Sequence, residues 1–360
     1  MIYLDNAAST RITEPILKAM FAYINGNYGN ASSLHSLGRK SRQAIEYARE
    51  QVAKSINAEP NQIFFISGST EGNNWVASNF NCILCSKVEH HSILNNPKCI
   101  AISFDSLPKT IYKQRPDLVT HMFVNNETGE IYNIKEMAKI CHQMNVPFHT
   151  DSTQAFSHLP IDVKDLDVDS LVLSGHKFHS MKGTGVLYLK EPNKYKPLLY
   201  GGGQEHNLRA GTENVAGIVG IGKACEIYNY NEKTDNYILN LRTHLLKNIK
   251  NDIMNVRVNT IDKPVINNII SLSFKDVNSE NLLHLLDNAG IYVSSGSACN
   301  SQNPSPNLAL QELNVPPDYI NGTIRISLSE ENTEEEMDIV SKELKRAVEM
   351  IRITKNKEEL

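Results

Sequence analysis

The chain has 360 residues, 41% of them hydrophobic and 21% charged, the balance of a folded globular protein and not of a disordered or fibrous one. At roughly 150 residues per domain this length predicts about two domains, and a formal net charge of -4 gives no electrostatic reason to expect nucleic acid or an anionic membrane as a partner. No stretch approaches the roughly 18 continuous apolar residues of a membrane span, Met1-Ile2-Tyr3-Leu4-Asp5-Asn6 has no export-signal pattern, and six irregularly spaced cysteines make no disulfide framework; a cytoplasmic protein with reduced thiols is expected.

From about residue 35 to 190, helical periodicity alternates with short apolar runs, which predicts a mostly parallel sheet covered by helices. A first helix over 37–56 carries Ala44, Ala48, Val52 and Ile56 as a stripe at every fourth position. A strand over 62–66 stops at Ser67-Gly68-Ser69-Thr70-Glu71-Gly72, where the chain turns into another helix. The Cys82-x-x-Cys85 pair lies in a run that reads as a short buried strand, since a structural zinc would need a second ligand pair. Further strands are predicted at 118–124, 146–150, 170–173 and 185–189. The first three end beside polar clusters, where ligands sit in open α/β sheets. After Gly201-Gly202-Gly203 a long helix is expected from Val215 to about Lys250. A smaller unit follows, with strands over 269–274 and 323–328, a helix over 279–289 opened by a serine cap, a closing helix over 333–351 and a frayed polar tail over 354–360.

Ser174-Gly175-His176-Lys177 closes one predicted strand and places a lysine where it can form a Schiff base once partly desolvated. Alone, such a lysine is a solvated surface residue. Asp151, at the end of the preceding strand, changes that reading. An aspartate on a pyridinium nitrogen keeps the ring protonated and able to absorb the electrons of a substrate carbanion, so the pair points to pyridoxal 5'-phosphate. Ser69 and Thr70 offer hydroxyls, backbone N–H groups and a helix dipole to its phosphate, and they serve equally as a helix cap. Cys299 lies in a run of small, polar and breaker residues over 294–307. A structural cysteine is normally buried among apolar neighbours, so this one reads as a reactive thiol.

Tyr3-Leu4-Asp5-Asn6-Ala7-Ala8, Gly29-Asn30-Ala31-Ser32-Ser33, Val124-Asn125-Asn126-Glu127-Thr128-Gly129, Asp151-Ser152-Thr153-Gln154, Ser174-Gly175-His176-Lys177, Arg209-Ala210-Gly211-Thr212-Glu213-Asn214, Ser294-Ser295-Gly296-Ser297-Ala298-Cys299 and Arg325-Ile326-Ser327-Leu328 follow in that order along nearly the whole chain. Together they resemble the cysteine desulfurases of the NifS and IscS group. The resemblance implies an α/β, fold-type I pyridoxal-phosphate transferase acting as a homodimer. Its mostly parallel central sheet, flanked by helices, would lie within 15–250. A smaller α+β domain, built from both chain ends (1–14 with 251–360), would carry a mobile cysteine loop at about 294–307.

The same resemblance implies roles for single residues. Lys177 would form the Schiff base, Asp151 would face the ring nitrogen and Gln154 the phenolic oxygen. His90, in preference to His91, would stack on the ring and assist proton transfer. Thr70, Ser174 and His176, beside Ser69, would hold the phosphate with Thr212 of the other subunit. Asn126, also against the cofactor, and Arg325 would orient the substrate carboxylate. Arginine suits that task because its planar fork pairs both carboxylate oxygens. L-cysteine would become L-alanine, leaving its sulfur on Cys299 as a persulfide for a separate acceptor protein, either a scaffold or a thiotransferase. No resident metal is implied, with Cys299 at most a transient iron–sulfur ligand.

The long cysteine loop resembles class I enzymes, and the Arg-x-Gly-His-His-Cys pattern of class II is absent. His179-Ser180-Met181-Lys182-Gly183 stands where a Gly-Pro-Lys-Gly turn is usual, and Arg209-Ala210-Gly211 where Arg-Ser-Gly is usual. The scaffold-docking segment of the IscS type is not recognisable in 347–360. Iron–sulfur assembly, RNA or DNA thiolation and thio-cofactor synthesis therefore stay open as destinations for the sulfur. Two other readings share the fold. A selenocysteine lyase or other β-elimination enzyme needs Lys177 but no mobile nucleophile, and a non-catalytic dimeric scaffold needs neither.

Overall fold

A computed structural model describes residues 1–295 and 308–358, which divide into two units. The larger comprises Thr10–Phe123 and Tyr132–Tyr230; the smaller comprises Met1–Ser9, Val124–Ile131 and the chain from Asn231 onward. The strands are β1 (Ile2–Tyr3), β2 (Ile63–Ile66), β3 (Ile83–Ser86), β4 (Cys99–Ile102), β5 (Leu118–Thr120), β6 (Phe148–Asp151), β7 (Ser170–Ser174), β8 (Gly185–Leu189), β9 (Val256–Val258), β10 (Ile269–Phe274), β11 (Ile291–Tyr292) and β12 (Thr323–Ser327).

The larger unit is built on a seven-stranded sheet of order β2-β8-β7-β6-β5-β3-β4. From β4 to β7 every pairing is parallel, and β8 runs antiparallel to both of its neighbours. The runs Ile-Phe-Phe-Ile of β2, Ser-Leu-Val-Leu-Ser of β7 and Gly-Val-Leu-Tyr-Leu of β8 are buried throughout. Continuous apolar runs are what a sheet covered on both faces selects.

One cover is the helix Ser36–Ser55, whose start is capped by His35 Nδ1 accepting from Gly38 N at 3.2 Å. It buries Ala44, Ala48 and Val52, with Ile56 buried one step beyond its end. The helix Val215–Ile227 lies against it so closely that a Cβ on Gly222 would stand 2.7 Å from Ala48 Cα, which leaves room there only for glycine.

β2 is an edge strand, and its outer backbone groups are satisfied by a buried ion pair. Arg49 Nη1 donates to Ile63 O at 2.7 Å, and the Glu205 carboxylate accepts from Phe65 N at 2.8 Å. The two side chains pair through two further hydrogen bonds of 2.8 Å, and the Arg49 guanidinium also lies 5.0 Å from the Phe65 ring centroid. Burial opposes the charge on Arg49, yet the hydrogen bonds to Glu205 raise its pKa overall. The ion pair thus takes the place of a neighbouring strand at an edge that would otherwise be open to foreign pairing.

In the smaller unit, β12, β10 and β9 form an antiparallel sheet, while β1 pairs in parallel with β11. Ser327 N donates to Leu4 O at 2.7 Å, so the amino-terminal segment is stitched to β12. Leu241, Leu245, Phe274, Leu282, Ile324, Ile326, Val340 and Leu344 are among the core residues. This is the α/β architecture expected, with its mostly parallel sheet and a smaller α+β part drawn from both chain ends.

Several local expectations are corrected. The long helix of 215–250 is two, Val215–Ile227 and Glu232–Asp252, because the Asn231 side chain accepts from the N–H groups of Lys233 and Thr234 and starts a new helix. The strand expected to reach 124 stops at Thr120, and β4 was not anticipated. Asn278, not a serine, caps the helix Ser279–Asn288. The expected frayed tail is helical as far as it is described: the last helix runs Glu334–Glu358. Arg352 holds it by donating to the carbonyls of Met254, Asn255 and Lys275, and Lys355 pairs with Asp276 at 2.8 Å.

Glu205→Ala leaves the β2 edge amide buried without its acceptor and the buried Arg49 with the half-exposed Glu46, at 3.0 Å, as its remaining carboxylate partner. It is expected to lower the unfolding free energy by about 3–5 kcal/mol, the usual result of breaking a buried pair from one side. Urea unfolding of the variant measures this, and a loss below about 1 kcal/mol would show that the pair does not hold the edge.

Candidate active site

β6 and β7 are parallel, with Asp151 opposite Val172, so the end of β6 and the turn after β7 lie on the same side of the sheet. Asp151 ends β6 and is 6% exposed. Its Oδ1 accepts from Thr153 N at 3.0 Å and its Oδ2 from Asn73 Nδ2 at 2.8 Å. The hydroxyls of Ser152 and Thr153 are buried beside it with no hydrogen-bond partner among the described residues.

Lys177 ends the 3-10 turn Gly175–Lys177 that follows β7, and it is half-buried. The turn is fixed from two sides. Phe178 is buried against Phe156, with ring centroids 4.5 Å apart, and Thr10 clamps the backbone. Thr10 N and Oγ1 both donate to His176 O, at 2.8 and 3.0 Å, while its Oγ1 accepts from His179 N. In the departure from the family turn, His179 takes a left-handed φ of 67° and packs on Tyr228 at 4.4 Å between ring centroids.

The helix Ser69–Ser78 begins beside the end of β7. A Cβ on Gly68 would touch Ser174 Oγ at 3.6 Å, and one on Gly185 would stand 2.7 Å from Gly68 Cα, so this junction closes only around glycine. Ser69 is half-buried and Thr70 exposed at the first turn. Arg209 ties the loop bearing the exposed Thr212 to this helix start, its Nε donating to Glu71 Oε1 at 2.8 Å.

His90 and His176 are both held toward their neutral forms. Burial lowers the pKa of His90, with the Lys177 and His91 charges adding to the effect and Asp151 opposing it. His176 is pushed down to about 4 by burial and by Lys177 and Lys182. Lys177 and Asp151 therefore both act on the His90 ring. His91 is half-buried in the short helix His91–Leu94, its ring centroid 6.3 Å from that of His90. Gln154 is buried in the turn after Asp151.

In the smaller unit Arg325, on β12, is 2% exposed. Its Nη2 donates to Asp5 Oδ1 at 2.8 Å and its Nη1 to the carbonyl of Asn126 at 2.7 Å; Nε is buried without a partner among the described residues. Asn126 and Arg325 are thus brought together. The Arg325 backbone also bridges to Ser294, at the entrance to the cysteine segment. Cys299 itself lies outside the described residues, as do Gly296 to Asn307.

Sequence reasoning missed Thr10, Asn73, Ser92 and Glu89. Asn73 was detectable in principle: it occupies a buried position one helical turn before Val76 and Ala77, where an apolar residue belongs. Among the described residues no cluster of three or more His, Cys, Asp or Glu is arranged to hold a metal, and no helix is long and apolar enough to cross a membrane.

A mostly parallel sheet with a smaller α+β part from both chain ends is the architecture of fold-type I pyridoxal-phosphate transferases. The model of the aminotransferase class-V family matches residues 2–340, and the chain belongs to that family, within its NifS/IscS-like cysteine desulfurase group. It is 38% identical to a cysteine desulfurase IscS of Methanosarcina thermophila, over 98% of this chain and 93% of that protein. It is equally 38% identical to a cysteine desulfurase IscS of Clostridium botulinum, over 99% of each. Among solved structures, a NifS-like protein from Rickettsia africae superposes with a TM-score of 0.89 at 30% identity, covering 97% of this chain and 99% of that one. SspA in complex with cysteine gives 0.80 at 28% identity, covering 92% and 100%.

Glu89 adds a pH dependence. Its Oε1 accepts from Met122 N at 2.6 Å and from Ser86 Oγ at 3.3 Å, while its Oε2 is buried without a partner among the described residues. Burial, and then the charge of Asp151, push its carboxyl from 4.5 up to about 8. Between those values the folded state holds a proton that the unfolded state has released, so stability falls as pH rises across this window. Relative to Glu89→Gln, the wild type is expected to lose on the order of 2 kcal/mol from about pH 5 to pH 8. Urea unfolding across that range reads the difference, and parallel pH profiles for the two proteins would refute it.

Proposed function

We propose that this protein is a class I cysteine desulfurase: it converts L-cysteine to L-alanine and passes the sulfur, as a persulfide on Cys299, to an acceptor protein. The observation that carries this reading is the pairing of a buried aspartate, Asp151, with Lys177 at the ends of adjacent parallel strands in a chain of this family. The residues present suit pyridoxal 5'-phosphate. Asp151 is a buried carboxylate, orphaned hydroxyls of Ser152 and Thr153 lie beside it, and a helix N-terminus next to Ser174 matches an anionic phosphate. Bound there, the group supplies an electron sink for the charge left when the α-proton of cysteine is removed.

Each residue has a task in this reading. Lys177 would hold the cofactor and, once released, take the α-proton with its amine. Asp151 would face the ring nitrogen and Gln154 the phenolic oxygen, with His90 against the ring. Ser69, Thr70, Ser174 and His176 would hold the phosphate, joined by Thr212 from the second subunit of a homodimer. Arg325 and Asn126 would orient the substrate carboxylate, and Asn126 would also touch the cofactor.

The Cys299 thiolate then attacks the sulfur of the substrate. The substrate's carbon–sulfur bond breaks as a sulfur–sulfur bond forms, and the carbon takes up a proton. Cysteine and enzyme thiol thereby become alanine and enzyme persulfide with no external oxidant. The recipient would be a protein of iron–sulfur assembly, RNA or DNA thiolation or thio-cofactor synthesis, reached in the cytoplasm.

Purified protein loaded with pyridoxal phosphate and given L-cysteine and a reductant is expected to release alanine and sulfide in equal amounts. Lys177→Ala and Cys299→Ala should each slow alanine release by about 100-fold or more, as expected for loss of a proton-transfer group or a nucleophile. A wild-type protein that makes neither product sinks the proposal. Undiminished turnover in Cys299→Ala would place the reaction among the simple eliminations.

A further inference from the structure

Asn73 lies at a branch point of a directional hydrogen-bond chain. Its side chain is completely buried and all of its polar capacity on the donor side is used. Nδ2 donates to Asp151 Oδ2 and to Ser92 Oγ, both at 2.8 Å, while Oδ1 lies 2.9 Å from His149 Nε2. A carboxylate only accepts, so the NH2 edge of the amide must face Asp151, and the carbonyl edge must face His149. His149 Nε2 therefore donates.

The rest of the chain follows from that orientation. Burial, opposed by Asp151, pushes His149 down to about 4 and keeps its ring neutral at physiological pH. With its proton on Nε2, the ring presents a bare Nδ1 to Ser170 Oγ at 2.8 Å, and the serine hydroxyl donates. On the other branch Ser92 Oγ, having accepted from Asn73, directs its own proton to His90 Nδ1 at 2.8 Å. Ser92 N donates to the same nitrogen at 3.1 Å, which caps the short helix His91–Leu94. Two donors on Nδ1 leave the single proton of the neutral His90 ring on Nε2.

We propose that Asn73 is a positioning residue that couples the Asp151 carboxylate to His90 Nδ1, one buried amide holding the first directly and the second through the Ser92 hydroxyl. This deepens the pyridoxal reading of the site and rests on it. With each Asp151 oxygen held by one protein donor, Asn73 and Thr153 N, the carboxylate cannot turn away from a ring nitrogen. With Nδ1 committed to Ser92, His90 exchanges protons through Nε2 alone. Asp151, Lys177 and His91 are the charged and titratable groups that act on this ring, and the relay decides which of its nitrogens they address.

Two variants separate the branches. Ser92→Ala cuts only the path to His90, whereas Asn73→Ala cuts both. In cofactor-free protein, histidine-selective 15N NMR is expected to show the His90 Nδ1 resonance moving downfield in both variants, because the directed proton of the Ser92 hydroxyl is lost and only the Ser92 N–H remains on that nitrogen. In protein loaded with pyridoxal phosphate, the pH midpoint of the visible absorbance should shift by about one unit in Asn73→Ala, the size of a lost hydrogen bond to a charged group, and stay near wild type in Ser92→Ala. In both variants kcat for alanine release should fall about 10-fold with KM within about threefold, the pattern of a proton-transfer group left unheld.

A wild-type protein that takes up no pyridoxal phosphate sinks the parent reading, while the NMR measurement, made without cofactor, still supports or overturns the relay. If wild-type protein carries the visible band and Asn73→Ala keeps both midpoint and His90 Nδ1 resonance, Asn73 only fills space and the relay is wrong. Should Asn73→Ala fail to fold, an unchanged His90 Nδ1 resonance and an unchanged kcat in Ser92→Ala overturn the proposal by themselves.

Discussion

The register of β6 against β7 is the constraint on which the larger unit depends. With Asp151 level with Val172, β7 runs only two residues further before its chain turns, so Lys177 follows close upon the end of its neighbour. The antiparallel return through β8 then closes this turn from behind. Thr10 fastens it in front, and Gly185 lets the helix Ser69–Ser78 begin against the same strand end. A slip of one residue would send every side chain of β6 to the opposite face of the sheet. Asp151 would then lose Asn73, and the site would lose its carboxylate.

Placing charge in a dry interior is costly unless each group has a defined partner, and the molecule meets this demand in three ways. Arg49 and Glu205 neutralise each other and satisfy a strand edge at the same time. Arg325 divides its donors between Asp5 and a carbonyl, keeping Nε in reserve. Around Asp151 two neutral amides, the Asn73 side chain and Thr153 N, supply the donors, and the neighbouring Glu89 is driven toward its protonated form. Only the last arrangement leaves a buried carboxylate with no cationic side chain hydrogen-bonded to it among the described residues. That is a suitable setting for a group brought in from outside.

The alternation of apolar runs and helical stripes made the α/β class and most strands of the central sheet legible, and the ordered motifs made the family legible. Such signals are local: a strand such as Gly185–Leu189 or a helix such as Ser36–Ser55 announces its buried faces by its own periodicity. The break at Asn231 was hidden because apolar periodicity continues past it while the cap depends on one side chain turning back on the backbone. The ordered end of the last helix was hidden because Arg352 finds its acceptors on Met254, Asn255 and Lys275, distant in the chain.

The sequence by itself determined the chemical types present, including lysine and aspartate at successive strand ends, a serine and threonine at a helix start, and a cysteine in a polar run. It also determined the family that uses them. Only the tertiary structure decided which of those groups share a hydrogen-bond network and in which direction its protons point. Asn73 shows why. In sequence it is one asparagine beside another, yet its amide spans the distance between Asp151, Ser92 and His149, three residues that meet only when a helix packs on a finished sheet. Hydrogen-bond direction depends on all partners together, and no local pattern carries that information.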